Sequence, residues 1–133
     1  MERTLAAICL VAPALLSAPA YATGELTCGN GKDVSIDLLV GHVDVLSISR
    51  LVVRVGDKTW SSTPDSFPGQ PILIGQAFED DKHLLLDITD EAVNEVVGRL
   101  RVVKLQEGES RVSAGVLGMK GVGAWAVECS EGE

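Results

Sequence analysis

Apolar and polar residues alternate with a period of two along most of the chain after Cys28. Val34, Ile36, Leu38 and Val40 alternate with mostly polar neighbours, as in a strand that buries one face. About six to nine short runs of this kind follow one another, separated by glycine-rich turns. Such spacing is typical of β-sandwiches and barrels. The pattern predicts an all-β fold, a compact antiparallel β-sandwich or barrel.

Two local features of this pattern carry predictions of their own. Asn30 and Gly31 form the preferred pair of a type I′ turn, in which both residues need a positive φ, so they predict a tight first hairpin. Leu46 and Ile48 are out of phase with the valines on either side of them. This change of phase predicts a β-bulge, or a turn, near residues 47–50.

Residues 90–97 are the one segment of the domain that allows a short helix. Asp90 suits the N-cap position, Glu91 would lie in the first turn, and Gly98 would end the helix. Two adjacent valines oppose a longer helix because their β-branched side chains lose rotamer freedom there. We therefore allow one short helix near 90–97 in an otherwise all-β fold.

The N-terminus has the pattern of a secretory signal peptide. Residues 5–16 are apolar except for Pro13, and Ala20-Tyr21-Ala22 follow as a cleavage site with small residues at the required positions. The alternative is a retained membrane anchor, but this run is shorter than a spanning helix and contains prolines. We expect residues 1–22 to be removed, which leaves residues 23–133 as a single exported β-domain.

Composition and charge narrow the classes of partner. Of the 61 hydrophobic residues, 16 lie in the first 22 positions and 45 in the remaining 111, so the domain itself is of ordinary composition. Arg99, Arg101 and Lys104 fit outward positions of a strand and form a mixed surface with nearby acids. The formal net charge of −8 disfavours nucleic acid, whose phosphates would be repelled. No segment after the signal peptide is long and apolar enough to cross a bilayer as a helix.

The cysteines predict one disulfide bond. Cys9 leaves with the signal peptide, and Cys28 and Cys129 remain near the two ends of the mature chain. Export places these two cysteines where a disulfide persists. A redox or nucleophilic thiol would instead require a C-x-x-C spacing or a nearby histidine, and the sequence near either cysteine has neither. We expect a Cys28–Cys129 bridge that joins the two terminal strands.

Few side chains offer catalytic or metal-binding chemistry. The sharpest metal hypothesis combines His42, His83 and Asp81, which are distant in sequence and which only the fold could bring together. Isolated histidines at turns are more often solvated than metal-bound. No acid, base and nucleophile form a recognisable set. The sequence therefore predicts no enzyme activity, no metal and no cofactor.

Residues 62–71 form the one long loop, and they contain all three prolines of the mature chain. Trp60 precedes this loop and is expected to be partly exposed, because Lys58 lies on the same face of the strand. Long ordered loops often carry function, so Trp60 and Phe67 are the candidate partner-binding surface. The alternative is a loop that these two aromatic residues merely hold in place.

The segment Leu26-Thr27-Cys28-Gly29-Asn30-Gly31, followed by an alternating strand, resembles the start of small periplasmic inhibitors of C-type lysozyme. The closing cysteine at the end of the last strand extends this resemblance to a second short segment. The resemblance implies a similar architecture. The Ser-Gly-x-x-Tyr motif of that family's inhibitory loop has no counterpart in the domain, because the only tyrosine is Tyr21. No site residue therefore follows from the resemblance.

These observations predict an exported, non-enzymatic binding domain in the periplasm or outside the cell. Its partner would be a periplasmic or cell-envelope protein, with no nucleic acid and no membrane involved after cleavage. The alternative is a periplasmic inhibitor of a cell-wall hydrolase, because an acidic protein can complement a basic lysozyme electrostatically. A small periplasmic enzyme or metal-binding protein is the lesser alternative.

Overall fold

A computed structural model describes residues 22–42 and 44–132, and it contains nine β-strands. Apart from Ala22, the predicted signal peptide lies outside these residues, and so does Cys9. The strands follow one another along the chain as β1 (Ala22–Gly29), β2 (Val34–His42), β3 (Leu46–Val55), β4 (Lys58–Ser61), β5 (Gln70–Glu79), β6 (His83–Asp90), β7 (Val96–Glu107), β8 (Ser110–Met119) and β9 (Gly123–Gly132).

Each strand pairs with the next one along the chain, and β1 pairs with β9, so the sheet closes into a barrel. The predicted all-β class is confirmed. Because the sheet closes on itself, the fold is a barrel and not a sandwich. The pairing is antiparallel throughout except between β4 and β5, which are parallel. The pairing is shortest between β4 and β5, which share only the pairs Trp60–Gln70 and Ser61–Pro71.

The expected short helix near 90–97 is wrong. Residues 91–95 form a turn and β7 begins at Val96. Asp90 does cap this turn, because its carboxylate accepts the N–H of Asn94 at 2.7 Å. Val93 has a positive φ of 57°, a conformation that ends a right-handed helix. Within the described part of the chain no helix is long and apolar enough to cross a membrane.

The first hairpin forms where it was expected, with a different turn. Gly31 has a φ of +72°, whereas Asn30 keeps a negative φ, so the turn is not of type I′. The side-chain oxygen of Asn30 instead accepts the N–H groups of Lys32 and Val34, both at 3.0 Å. The asparagine therefore organises a four-residue loop through its amide side chain, as Asx-turns do.

The core fills the interior of the barrel. The burial of β2 alternates without exception from Val34 to Val40, as the period-two pattern predicted. A β-bulge at Ser49, between the pairs Leu39–Arg50 and Val40–Ile48, confirms the predicted irregularity. The buried apolar side chains are Val34, Ile36, Leu38, Val40, Leu51, Val53, Val55, Trp60, Ile72, Leu84, Leu86, Ile88, Leu100, Val102, Leu117, Met119 and Val127.

The predicted disulfide joins Cys28 of β1 to Cys129 of β9, with an S–S distance of 2.03 Å. The two residues lie directly opposite each other, with Cα atoms 4.0 Å apart. The bridge therefore links the first and last strands at the seam that closes the barrel. Cys28 is fully buried.

The parallel pair of β4 and β5 requires a crossover, which residues 62–69 provide. Ser62 continues the pairing with β3, because its N–H donates to the carbonyl of Leu51 and its hydroxyl accepts the N–H of Leu51, both at 2.9 Å. Val52 points away from the core, in alternation with Leu51, yet it is only 1% exposed. The crossover thus covers the outer side of β3.

Candidate functional site

A cavity of about 320 Å³ lies at one end of the barrel, and we call this end the mouth. It is the end at which β2, β5, β7 and β9 finish and at which β1, β6 and β8 begin. Four apolar side chains form its floor: Leu26, Val40, Leu84 and Val102. The polar residues of its rim include His42, Glu79, Lys104, Ser113 and Glu131. The cavity lies at the lower end of the volume range of ligand pockets, and barrel mouths are a common place for such pockets.

Glu79 is the central charged group of the mouth. One carboxylate oxygen, Oε1, contacts Nε2 of His42, and the other, Oε2, lies 2.9 Å from the ammonium of Lys104. Lys104 also donates to the backbone carbonyl of Asp80 at 3.2 Å. The side chains of Glu79 and Lys104 are only 17% and 22% exposed, whereas that of His42 is 52% exposed. The imidazole of His42 therefore faces the solvent, whereas the Glu79–Lys104 ion pair lies in the wall of the cavity.

Burial raises the pKa of the Glu79 carboxyl, but hydrogen bonds from Lys104 and His42, with their positive charges, outweigh that effect. The pKa of Glu79 therefore lies below its ordinary value of 4.5. The carboxylate is ionised at neutral pH and supplies a fixed negative charge at the edge of an apolar cavity.

A β-bulge in β5 turns Glu79 into the mouth. Ile74 pairs with Ile88, but Ala77 pairs with Leu86, so β5 contains one extra residue between these pairs. Without that residue the alternation from Ile74 would direct Glu79 outwards. Bulges of this kind occur at the rims of barrels, where they redirect a side chain. The same shift leaves Phe78 on the outer surface, where it is 54% exposed.

Sequence analysis did not find this network. It did not single out Glu79, and it placed Lys104 among the outward basic residues, whereas Lys104 points into the barrel. The signal for Lys104 was available, because it lies in phase with Leu100 and Val102, which are both buried. For Glu79 the hint in the sequence was Gly75, because a glycine within a strand often marks a bulge. In the structure, a Cβ at this position would lie only 3.0 Å from the carbonyl oxygen of Asp87.

The three residues of the metal hypothesis do not assemble a site. His42 contacts Glu79, whereas Nδ1 of His83 lies 3.4 Å from the carboxylate of Asp80. Asp80 itself accepts the backbone N–H groups that follow it, which lowers its pKa. Among residues 22–42 and 44–132 there is no group of three or more His, Cys, Asp or Glu side chains placed to hold a metal ion.

The expectation that Trp60 is partly exposed is wrong. Trp60 is only 6% exposed and pairs with Val53, so its indole belongs to the core. Phe67 is half-buried, and the guanidinium of Arg50 lies 4.5 Å above its ring, a cation–π contact. This contact holds the crossover of residues 62–69 against β3. A partner-binding role of this surface stays a prediction, and Phe67 is the residue of the pair that could carry it.

Comparison with known proteins gives no match: no family model, no curated protein and no solved structure is significantly similar to the chain. The likeness of its terminal segments to lysozyme inhibitors stays a resemblance. Function must therefore be argued from the geometry of the barrel.

Proposed function

We propose that this chain is an exported, non-enzymatic binding protein that takes a small amphipathic ligand into the mouth of its barrel. The observation that supports the proposal most is the cavity of about 320 Å³, which combines an apolar floor with a charged rim. Ligand pockets typically combine mostly apolar walls with a few fixed polar groups. Barrels of eight strands or slightly more have room for one small ligand.

Export is the second part of the proposal. The apolar segment of residues 5–16 and the Ala20-Tyr21-Ala22 sequence support a cleaved signal peptide. The Cys28–Cys129 disulfide is consistent with an oxidising compartment such as the periplasm or the cell exterior. In this proposal the mature protein begins at Thr23.

Filling the cavity is the direct test of ligand binding. A Cβ added at Gly24, which lines the mouth, meets no atom within 4 Å, so Gly24→Phe can fill the cavity without a clash at its Cβ. The neutral dye N-phenyl-1-naphthylamine, whose fluorescence rises in apolar surroundings, serves as the probe. We expect wild-type protein to bind the dye and Gly24→Phe to bind it about tenfold more weakly or worse.

Gly118→Phe is the matched control for this experiment. Gly118 is also free of contacts at its Cβ position, and it lies in β8 away from the mouth, opposite Arg99. This variant should bind the dye as the wild-type protein does. An absence of dye binding by the wild-type protein, or an equal loss in both variants, would refute the proposed site.

Inhibition of a cell-wall hydrolase is the second candidate function, and the net charge of −8 favours it. An acidic protein attracts a basic enzyme such as a lysozyme, and this attraction weakens as salt is added. The test is lysozyme turnover with an excess of the purified protein, at low and at physiological salt. Inhibition that is strongest at low salt and is reduced by Phe67→Ala supports this function, and unchanged turnover at low salt excludes it.

A further inference from the structure

The predicted cleavage bond between Ala22 and Thr23 lies at the rim of the mouth. Ala22 is the first residue of β1, and Thr23 is itself one of the residues that line the cavity. Opposite them on β2 lie His42, the partner of Ala22, and Gly41, the partner of Thr23. Cleavage at this bond would therefore create a new chain terminus within the lining of the proposed binding site.

This terminus lies beside the seam between β1 and β9. The described pairing of β1 with β9 includes Glu25 opposite Gly132, and both residues line the cavity. On the other side of β1, Thr23 pairs with Gly41 and Gly24 with Val40. A terminal amine at Thr23 would thus lie at the lining of the cavity, next to the end of β2.

The amine would differ from the other nitrogen groups of the mouth. Lys104 and His42 both contact Glu79, so their hydrogen-bonding capacity is partly used within the protein. An α-amino group has an ordinary pKa of about 7.7–8.0 and is largely protonated at neutral pH. Removal of the signal peptide would replace a neutral peptide group with a positive charge at the exposed rim of the cavity, whose lining also includes Glu25, Glu79 and Glu131.

We propose that cleavage after Ala22 adds a specificity-determining group to the mouth, the α-ammonium of Thr23. The ligand that this group favours is an amphipathic molecule whose head accepts hydrogen bonds, a carboxylate above all. This inference rests on the proposed function, because it requires both export and a ligand in the mouth. It makes the unprocessed and processed proteins different in ligand preference.

Periodate provides a selective test on the mature protein. An N-terminal threonine carries its amine and its hydroxyl on adjacent carbons, and periodate cleaves the bond between these carbons while it is reduced to iodate. Cα stays on the chain as a glyoxylyl aldehyde, the side chain leaves as acetaldehyde, and the nitrogen leaves as ammonia. The treatment therefore removes the α-ammonium and the side chain of Thr23 and leaves the other residues of β1 in place. Mass spectrometry of the exported protein, before and after treatment, reports whether Thr23 is the first residue and whether the conversion is complete.

The measurement is the affinity of octanoate relative to octyltrimethylammonium, a cation that cannot form an imine with the new aldehyde, determined by competition with N-phenyl-1-naphthylamine. We expect oxidation to lower this ratio about fivefold or more, because a positive charge near the head group is lost. Thr23→Val is the matched control: it keeps the α-ammonium but lacks the hydroxyl, so periodate should leave its ratio at the value measured before treatment.

The outcomes separate the two proposals. An unchanged ratio after complete oxidation, with dye binding retained, overturns the role of the α-ammonium and leaves the proposed function intact. A first residue other than Thr23 in the exported protein also overturns this role. Failure of the untreated protein to bind the dye refutes the proposed function, and the inference that rests on it falls with it.

Discussion

The two ends of the barrel carry different kinds of side chain at their inward-facing positions. At the end opposite the mouth, which we call the far end, the inward positions carry the large apolar side chains of Trp60, Ile72 and Met119, all at most 6% exposed. At the mouth, the inward positions carry His42 and an ion pair between Glu79 and Lys104. Each end holds a cavity, of about 320 Å³ at the mouth and about 520 Å³ at the far end, so the two ends differ in the side chains that close the interior and not in the presence of a cavity.

The difference arises from the residues at the strand ends and from bulges. The bulge at Ser49 and the bulge between Ile74 and Ala77 lie in the halves of their strands nearer the mouth, whereas a third bulge, at Val97, lies at the far end. The far end has its own ion pair, between Lys120 and Glu95 at 2.5 Å, but both side chains are at least half exposed. Charged groups thus line the cavity at each end, but Lys120 and Glu95 at the far end are much more exposed than Lys104 and Glu79 at the mouth. Stability and ligand binding are accordingly expected to depend on opposite ends.

The largest expected effect comes from opening the far end. Trp60→Ala removes a buried indole and should lower the free energy of unfolding by about 3–5 kcal/mol, because a large cavity replaces packed atoms. Urea unfolding, followed by far-UV circular dichroism, measures the loss. Under conditions in which the variant remains folded, its affinity for N-phenyl-1-naphthylamine should equal that of the wild-type protein. A folded variant that no longer binds the dye would show that the two ends are coupled.

The barrel walls could largely be predicted from the sequence. Alternation over β2 and β6 identified the inward residues, because a period of two is a direct consequence of strand geometry. The Cys28–Cys129 bridge followed from counting the cysteines that would remain if the predicted signal peptide were removed. Closure into a barrel could not be predicted, since it depends on pairing between β1 and β9, which are separated by nearly the whole domain.

The second expected effect concerns the seam that forms one wall of the mouth. Replacement of Cys28 and Cys129 together by alanine should lower the free energy of unfolding by about 2–4 kcal/mol, because the unfolded chain regains the freedom of a long loop. Cys129 also lines the cavity. Dye affinity should therefore fall as well, in contrast to Trp60→Ala. Urea unfolding and dye titration measure the two effects, and a double variant as stable as the wild-type protein would contradict the role of the bridge.

The mouth was much harder to predict than the barrel walls. A bulge of one residue reverses the direction of every later side chain in a strand, so period-two analysis fails beyond it. This reversal is what placed Glu79 inside and Phe78 outside, against the phase set by Ile72 and Ile74. The prediction that Trp60 is partly exposed was wrong for another reason. Lys58, on the same face of the strand, suggested that this face is exposed, but Lys58 lies at the strand end, where its ammonium reaches solvent.

The smallest expected effect belongs to the charges of the mouth, and it depends on pH. Because the pKa of Glu79 is lower in the folded protein than its ordinary value of 4.5, this group stabilises the fold fully at pH values above 4.5. The stabilisation is lost as the pH falls through the lowered pKa. Glu79→Gln should therefore lower the free energy of unfolding at pH 7 by about 1 kcal/mol, and the difference from the wild-type protein should shrink towards zero in acid. Urea midpoints measured between pH 7 and pH 3 test this convergence.

Asp57→Asn, which removes an exposed carboxylate from the turn between β3 and β4 at the far end, is the control and should show no comparable convergence. A Glu79→Gln deficit that is the same at every pH would mean that the side chain contributes through packing, and that the charge network of the mouth does not stabilise the barrel.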